Sequence, residues 1–528
     1  VTPETYPHKQ QPWKHQRELL EQTWDREYFA LLWEQGTGKT KAALDTACLQ
    51  YMNGLIDGLL IVAPDGVHLN WSNTEVPEHL PDALRRVTKT FAYQTKKAKN
   101  KSFKADIQKL LDHKGFAILC MSYSNFMTGD GKKWAKKFLT ERTCMYTLDE
   151  ASEIKNPGAA RTKTLRASAR YAKTRRILEG TPVTQAPFDI YAPMCFLHKA
   201  FWHDYNCADY DAFKQKHGIF QPITVNAGNR VVTVDKVVGY KQVDALREYL
   251  LPHVSRVLKK DVMDLPPKVF QKHRFEMSAE QWRVYNDLDK QQHAMLGDVQ
   301  KCPECDGTGK VDAGDYWKAC DACAGRGMVS DLNITAELPI VCMMRKQQVS
   351  AGYSPADEDP HLRLIGSTNV RLEELMKLVE KITGKVIIWS RFTADINLIM
   401  ERFAKDGISA VRYDGQVDED DREAAKVKFQ KVAIKDGGPV AFVANPAAAS
   451  RGLTLHAAKT VIYYNNSFKL RDRLQSEDRA HRGGMDEHPV LYIDMMSDAP
   501  IDETIVTALR NKQDVADQVT GDEAKEWI

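Results

Sequence analysis

Twice along the 528 residues, short apolar runs alternate with stretches of helical period, and that alternation leaves few folds open. The first series is YFALLW at 28–33, GLLIVAP at 58–64, FAILCMSY at 116–123, CMYTLDE at 144–150 and RRILEGTP at 175–182. A second begins near residue 384 with GKVIIWSRF, SAVRYDG, GPVAFVAN, KTVIYYN and PVLYIDM, separated by helix-like stretches such as ADINLIMERFAKDG and DREAAKVKFQKV. Strands alternating with helices predict parallel sheets covered on both faces, with ligands at the carboxyl ends of the strands. The expected class is α/β, with two parallel-sheet domains.

Two stretches fall at such strand ends. In LLWEQGTGKT at 31–40, Leu31 and Leu32 close a buried strand and Lys41-Ala42-Ala43-Leu44 opens a helix whose N-terminus favours anions. Gly36, Thr37 and Gly38 let backbone N–H groups turn inward as a phosphate cradle. Lys39 is then placed for the β- and γ-phosphates of ATP and Thr40 for a magnesium ion. The pattern G-x-x-x-x-G-K-[ST] is met except at its first glycine, where Trp33 stands; an ordinary glycine-rich strand-to-helix turn is the alternative. Asp149-Glu150 follows the apolar Met145-Tyr146-Thr147-Leu148. There Asp149 can hold magnesium through water and Glu150 can polarise the attacking water, although acids also suit a plain helix N-terminus.

The remaining composition narrows the partners. A formal net charge of +3 gives no global basic field, so any nucleic-acid surface has to come from local clusters. Three are visible: KKAKNKSFK at 96–104, KKWAKK at 132–137 and RTKTLRASARYAKTRR at 161–176. Each is also readable as a solvated face. No apolar run reaches the length of a membrane span and no signal-peptide pattern opens the chain, so no membrane partner and a cytoplasmic, nucleoid-associated setting are expected, or the host cytoplasm for a viral protein. Of ten cysteines, four form two C-x-x-C pairs, Cys302 with Cys305 and Cys320 with Cys323. That spacing suits one tetrahedral zinc in a reducing compartment.

Taken in order, WEQGTGKT, LLIVAPDGVHLNW, MSYSNF, TLDEASEIKNP and LEGTPVTQAPFDIY resemble the first motor domain of superfamily 2 helicases, and most closely the Swi/Snf-type ATPases. That family's phosphate loop has the form DEMGLGKT, which accounts for Trp33, and its acidic motif resembles DEAHRIKN, with Ser152 and Glu153 here in place of His-Arg. The resemblance implies two RecA-like motor domains, an adenine-reading role for Gln16 in PWKHQRELL, and double-stranded DNA as the partner. QSEDRAHRGG at 475–484 is similar to the family form QAxDRAHRxGQ, which implies that Arg479 and Arg482 act on the γ-phosphate. Three residues apart, they would share one face of a helix. NPAAASRGLTLHAAKTVIYYNNSF resembles the family's G-L-N-L motif, with Thr454 for Asn, and implies close backbone approach at Gly452 to nucleic acid or the ATP cleft. LPPK at 265–268, then a strand and the S-x-x-Q-x-x-x-Y helix, resembles Swi/Snf enzymes and not strand-separating ones in general. The cysteine segment, of CxxCxGxG form, resembles half of the zinc domain of DnaJ-type chaperones.

The expected division is a first motor at 1–195, an insertion at 196–260, a linker and start of the second motor region at 261–297, a zinc-binding insertion at 298–330, a second motor at 331–500 and a C-terminal brace at 501–528. The expected function is an ATP-driven motor, monomeric, that moves along double-stranded DNA and displaces or remodels what is bound. A compact bacterial or viral role in repair, replication or defence is expected over nucleosome remodelling. The zinc insertion offers a surface for a protein partner. The alternatives are a strand-separating or annealing helicase on forks or RNA, and a zinc-dependent binding factor that uses its motor as a switch.

Overall fold

The computed structural model describes residues 1–522 apart from 228–229, 297–298, 314–315, 331, 337, 358, 360, 439, 451–452 and 484–487; at 225–227, 230–231, 419–420 and 449–450 it describes the backbone only. It divides into two compact units. The first comprises Val1–Leu265 with Lys469–Arg471 and the described residues from Asn511 on, the second Pro266–Phe468 with Asp472–Arg510.

The first unit is built on a seven-stranded sheet, in the spatial order Thr88–Ala92, Phe116–Ser122, Gly58–Ala63, Cys144–Asp149, Thr174–Leu178, Tyr28–Trp33 and Val254–Val257. Every neighbouring pair is parallel. The central strands read as unbroken apolar runs because both faces are covered. Ala30, Leu32, Leu60, Val62, Leu119 and Leu148 enter one core, while Phe29, Leu31, Trp33, Ile61, Cys120 and Met145 enter the other, as the two-residue period of a strand requires. Each buried Val, Leu, Ile, Phe or Met among them contributes roughly 2 kcal/mol.

Five of these strands were expected, and two were not. Thr88–Ala92 and Val254–Val257 are the two edge strands, with one covered face or a half-buried register, so TKTFA and VSRV lack the apolar runs of their neighbours. After residue 195 come a helix, Tyr210–His217, and a long antiparallel hairpin, Gly218–Ala227 with Arg230–Tyr240.

The second unit carries a six-stranded sheet in the order Lys268–Phe275, Val490–Ser497, Ala458–Tyr463, Lys385–Trp389, Ala441–Ala444 and Ala410–Tyr413, again with every pair parallel. Val386, Ile388, Val443 and Ile462 face one core and Ile387, Trp389, Phe442 and Val461 the other. The strand after Pro267 and the helix Ala279–Gln291, capped by Ser278 and carrying Gln281 and Tyr285, stand where they were expected. Arg371 is fully buried here. It donates to the carbonyls of Tyr464 and Met495, to Ser350 Oγ at 2.9 Å and to the Asp502 carboxylate, so its charge is paired and its donors are used.

Candidate nucleotide site and cysteine cluster

The strand Tyr28–Trp33 delivers the chain to a turn at 34–38, and the 14-residue helix Lys39–Met52 leaves it. Gly36 and Gly38 hold φ of 85° and 81°, in the left-handed region that glycine enters without strain. A Cβ on Gly38 would lie 2.1 Å from Gln16 Nε2 and displace that side chain, beside the strain that the positive φ already imposes on any other residue. The buried Gln16 side chain accepts from Trp13 N at 2.8 Å and donates to the Gly38 carbonyl at 3.1 Å, and His15 Nε2 lies 2.8 Å from the Thr37 carbonyl. Thr37 Oγ1 donates to the Glu34 carbonyl at 2.7 Å. Gln16 and Thr37 thus hold the loop in shape. The half-buried Thr40 lies in the first turn of the helix, where backbone N–H groups have no intrahelical partner.

Lys39 Nζ donates to the carbonyls of Trp33 at 2.7 Å and Glu34 at 3.1 Å. Burial holds its pKa below the ordinary lysine range, against the pull of Glu150, Asp149 and Glu179. The acids come from neighbouring strands in register, since Asp149 pairs with Leu178 and Leu31 pairs with the same residue. Asp149 is buried and accepts from Trp71 Nε1 at 2.8 Å; burial, reinforced by Glu150, raises its carboxyl to about 6. Glu150 adopts φ 55°, ψ 58°, a conformation that costs a non-glycine residue roughly 1–2 kcal/mol. Tyr123 OH donates to the Asp149 carbonyl at 2.9 Å, bracing that turn. Gln35 Nε2 donates to Glu150 Oε1 at 3.4 Å, and Arg471, which belongs to this unit, reaches Glu150 at 3.3 Å and Glu153 at 2.9 Å. Glu179 follows the next strand, where burial raises it to about 7 although Ser152 N and Thr181 N donate to it at 2.6 and 2.9 Å.

A loop shaped by two positive-φ glycines at the start of a helix, a half-buried lysine and three clustered carboxylates fit ATP with a divalent ion. The loop donors and Lys39 would hold the phosphates, and Thr40 with Asp149 the magnesium.

The helix Leu470–Ala480, which belongs to the second unit from Asp472 on, ends before Arg482, so the two arginines do not share a helical face as their spacing predicted. They converge by another route. Arg479 Nη1 donates to the Leu453 carbonyl at 3.3 Å, and Arg482 Nη1 lies 3.4 Å from the same oxygen and 3.2 Å from Thr454 Oγ1. Gly452 lies outside the described residues.

Cys302, Cys305, Cys320 and Cys323 come together as four buried sulfurs, all within 4.8 Å of one another. Cys302 to Cys320 is 3.8 Å and Cys305 to Cys323 is 3.7 Å. A tetrahedron with Zn–S near 2.3 Å has edges of about 3.8 Å, so the cluster fits zinc. Its two halves mirror one another: Gly309 N donates to Cys305 Sγ and Gly327 N to Cys323 Sγ, each at 3.2 Å. Both glycines have positive φ, and a Cβ on either would strike a carbonyl of the other half, at 2.2 Å from Gly325 O and 2.3 Å from Gly307 O. None of the ten cysteines is paired in a disulfide.

The SNF2-related domain matches residues 15–309, more than half of the chain, and the helicase conserved C-terminal domain matches 370–484. The chain belongs to the SNF2-related family. Among curated SNF2-related relatives it is 23% identical to the TATA-binding protein-associated factor MOT1 of Saccharomyces cerevisiae, over 70% of this chain and 20% of that one. It is 23% identical to a Drosophila melanogaster SWI/SNF-related regulator of chromatin containing DEAD/H box 1, over 93% and 58%. The ISWI chromatin-remodeling complex ATPase CHR11 of Arabidopsis thaliana is 25% identical, over 90% and 39%. The chain thus spans between a fifth and three-fifths of these relatives. The Sulfolobus solfataricus SWI2/SNF2 ATPase core in complex with dsDNA aligns over 99% of this chain and 95% of that one, with 17% identity and a TM-score of 0.38.

Reading the sequence of this SNF2-related chain missed Trp71, Glu179, Gln35 and Tyr123. Glu179 was legible in principle, being an acid directly after a strand of the same sheet, as Asp149 is at the end of its own. Trp71, Gln35 and Tyr123 carry no local signal, because their contacts join residues 26 to 115 positions apart.

Proposed function

We propose that this chain is an ATP-driven motor of the Swi/Snf type that travels along double-stranded DNA and displaces or remodels what is bound there. The observation that carries the reading is the gathering of Lys39, Asp149 and Glu150 at the carboxyl edge of one parallel sheet, around a loop whose shape is fixed from behind by Gln16. Bound magnesium supplies charge stabilisation for the transferred phosphoryl group. Glu150 takes the role of orienting and polarising the attacking water, and its left-handed backbone, braced by Tyr123, sets the direction of its carboxylate. Lys39 exchanges its two carbonyl partners for phosphate oxygens, which match a full positive charge better than the carbonyls do. Gln16 reads the adenine edge, and Arg479 and Arg482 stabilise charge on the γ-phosphate. The family match supports duplex DNA as the track.

The chain's division supports a boundary beside the LPPK turn, and residues 298–330 form a separate zinc module in this reading. Over 301–327 the module has four lysines and arginines against five acids, which gives DNA little attraction, whereas Tyr316 and Trp317 are 65% and 66% exposed. A protein partner suits it better. Glu150→Gln tests the engine: ATP binding should persist while turnover falls by at least about a hundredfold, in the range of general base loss. Turnover at the original rate would remove Glu150 from the chemistry.

A further inference from the structure

Apart from Arg161, which pairs with Glu153 and lies over the Tyr123 ring, the basic run at 161–176 stands away from the nucleotide site, and its fold gives it a definite shape. It forms the helix Ala160–Ala169, a turn and the strand Thr174–Leu178. Lys163, Arg166 and Arg170 recur at intervals of three and four and so stand on one face. They line a cavity of about 590 Å³ together with Arg175, His198 and Lys199. Glu27 is the single acid in that wall, and the Arg175 guanidinium already pairs with it. Among the described residues, Lys163, Arg166, Arg170 and Lys199 form no ion pair, and the buried Nε of Arg175 has no hydrogen-bond partner. Arg170 is held in place, donating to Tyr171 OH at 2.7 Å with its guanidinium 4.8 Å from the ring.

This cavity is separate from the nucleotide site. Arg175 is the second residue of its strand, in register with Tyr28 and Tyr146 near the amino edge of the sheet, whereas Glu179 lies four residues on, about 13 Å along the strand. Lys163, Arg166, Arg170, Arg175 and Lys199 against one already paired acid make a positive potential that favours an anion of several charges. Arginine forks match phosphate oxygens two at a time. From Lys163 to Arg170 the helix advances about 10 Å, the rise of about three nucleotides of one strand.

We propose that this cavity and its helix stripe bind the phosphate backbone of a nucleic acid, as a second contact apart from the nucleotide site. The choice of nucleic acid over other anions rests on the DNA-motor reading above. The test is duplex binding as a function of salt, for the full chain and for the triple variant Lys163→Gln, Arg166→Gln, Arg170→Gln, with ATP binding and thermal unfolding measured beside it. Each lost phosphate contact flattens the slope of log affinity against log salt by about 0.9, so the variant should bind with a slope shallower by about 2 to 3 while its ATP affinity and unfolding temperature stay unchanged. A photo-crosslinker on Ala167→Cys, an exposed position between the cations, should capture the duplex. An unchanged slope with no crosslink overturns the inference and leaves the motor reading standing. A full chain that binds no duplex at any salt brings down the motor reading, and this inference with it. Binding of a polyglutamate peptide that the triple change abolishes, with duplex affinity untouched, makes the cavity a receptor for acidic peptides and overturns the inference as well.

Discussion

The nucleotide site and the cysteine cluster are both prepared to receive a ligand, and they are prepared in opposite ways. The first sits on a seven-stranded sheet whose two cores hold it in place whatever is bound. It carries local costs: a lysine held below its ordinary range, a carboxyl raised to about 6, another raised to about 7 and a glutamate with positive φ. The cysteine cluster has almost no core beyond its own sulfurs, with Val311 and Val329 as its only partly buried apolar neighbours among the described residues. Strain can be stored where the surrounding fold is strong enough to hold it. Where the fold is too small, the ligand itself has to supply the stability.

The largest effect that separates the two concerns zinc. Cys302→Ser with Cys305→Ser, or chelation, removes a binding free energy on the order of 10 kcal/mol, which is the folding energy of so small a module. The module should lose protection in hydrogen exchange while the sheet strands and ATP binding in the first unit are retained. Loss of ATP binding on zinc removal would show that the two regions are not independent.

The next effect is catalytic. Arg482→Ala should reduce turnover by about a thousandfold, as removal of an arginine finger does, with ATP affinity and unfolding temperature near those of the parent protein. Its donors go to one carbonyl and one hydroxyl, contacts whose net worth is about 1 kcal/mol each, so a large loss of stability would mean a structural post instead.

The smallest effect sharpens the idea of stored cost. With its folded pKa raised from 3.8 to about 6, Asp149 favours folding while protonated. That contribution is complete below its unfolded value near 4 and is lost as pH rises through about 6. At pH 8 the metal-free protein therefore carries a penalty of roughly 3 kcal/mol from this group. Asp149→Asn should unfold at a higher temperature than the parent at pH 8 without magnesium, and the gain should vanish near pH 4. Equal unfolding temperatures across that range would show that burial does not perturb this carboxylate.

The same contrast explains what was legible in the sequence. Buried central strands such as GLLIVA and FAILCMS announce themselves by composition, and the residues at their ends follow once the strand is placed, which is how Lys39, Asp149 and Glu150 were found. The four cysteines were found by spacing alone, because zinc geometry fixes it. The two edge strands of the first sheet escaped since half-exposed registers accept Thr, Lys, Ser and Arg. The helix through QSEDRA was foreseen but its end at Ala480 was not, because the sequence around Ala480 carries no stop signal before Gly483. Trp71 against Asp149 and Gln35 against Glu150 are products of the tertiary fold, which brings together residues that no local pattern links.

The central claim is that hydrolysis at Lys39, Asp149 and Glu150 is coupled to a duplex track. ATP turnover by the full chain should be measured alone, with single-stranded DNA and with duplex DNA, and the Glu150→Gln variant run beside it. The account predicts a low basal rate, the largest stimulation by duplex, and none in the variant. Turnover indifferent to duplex, or raised most by single strands, would contradict it.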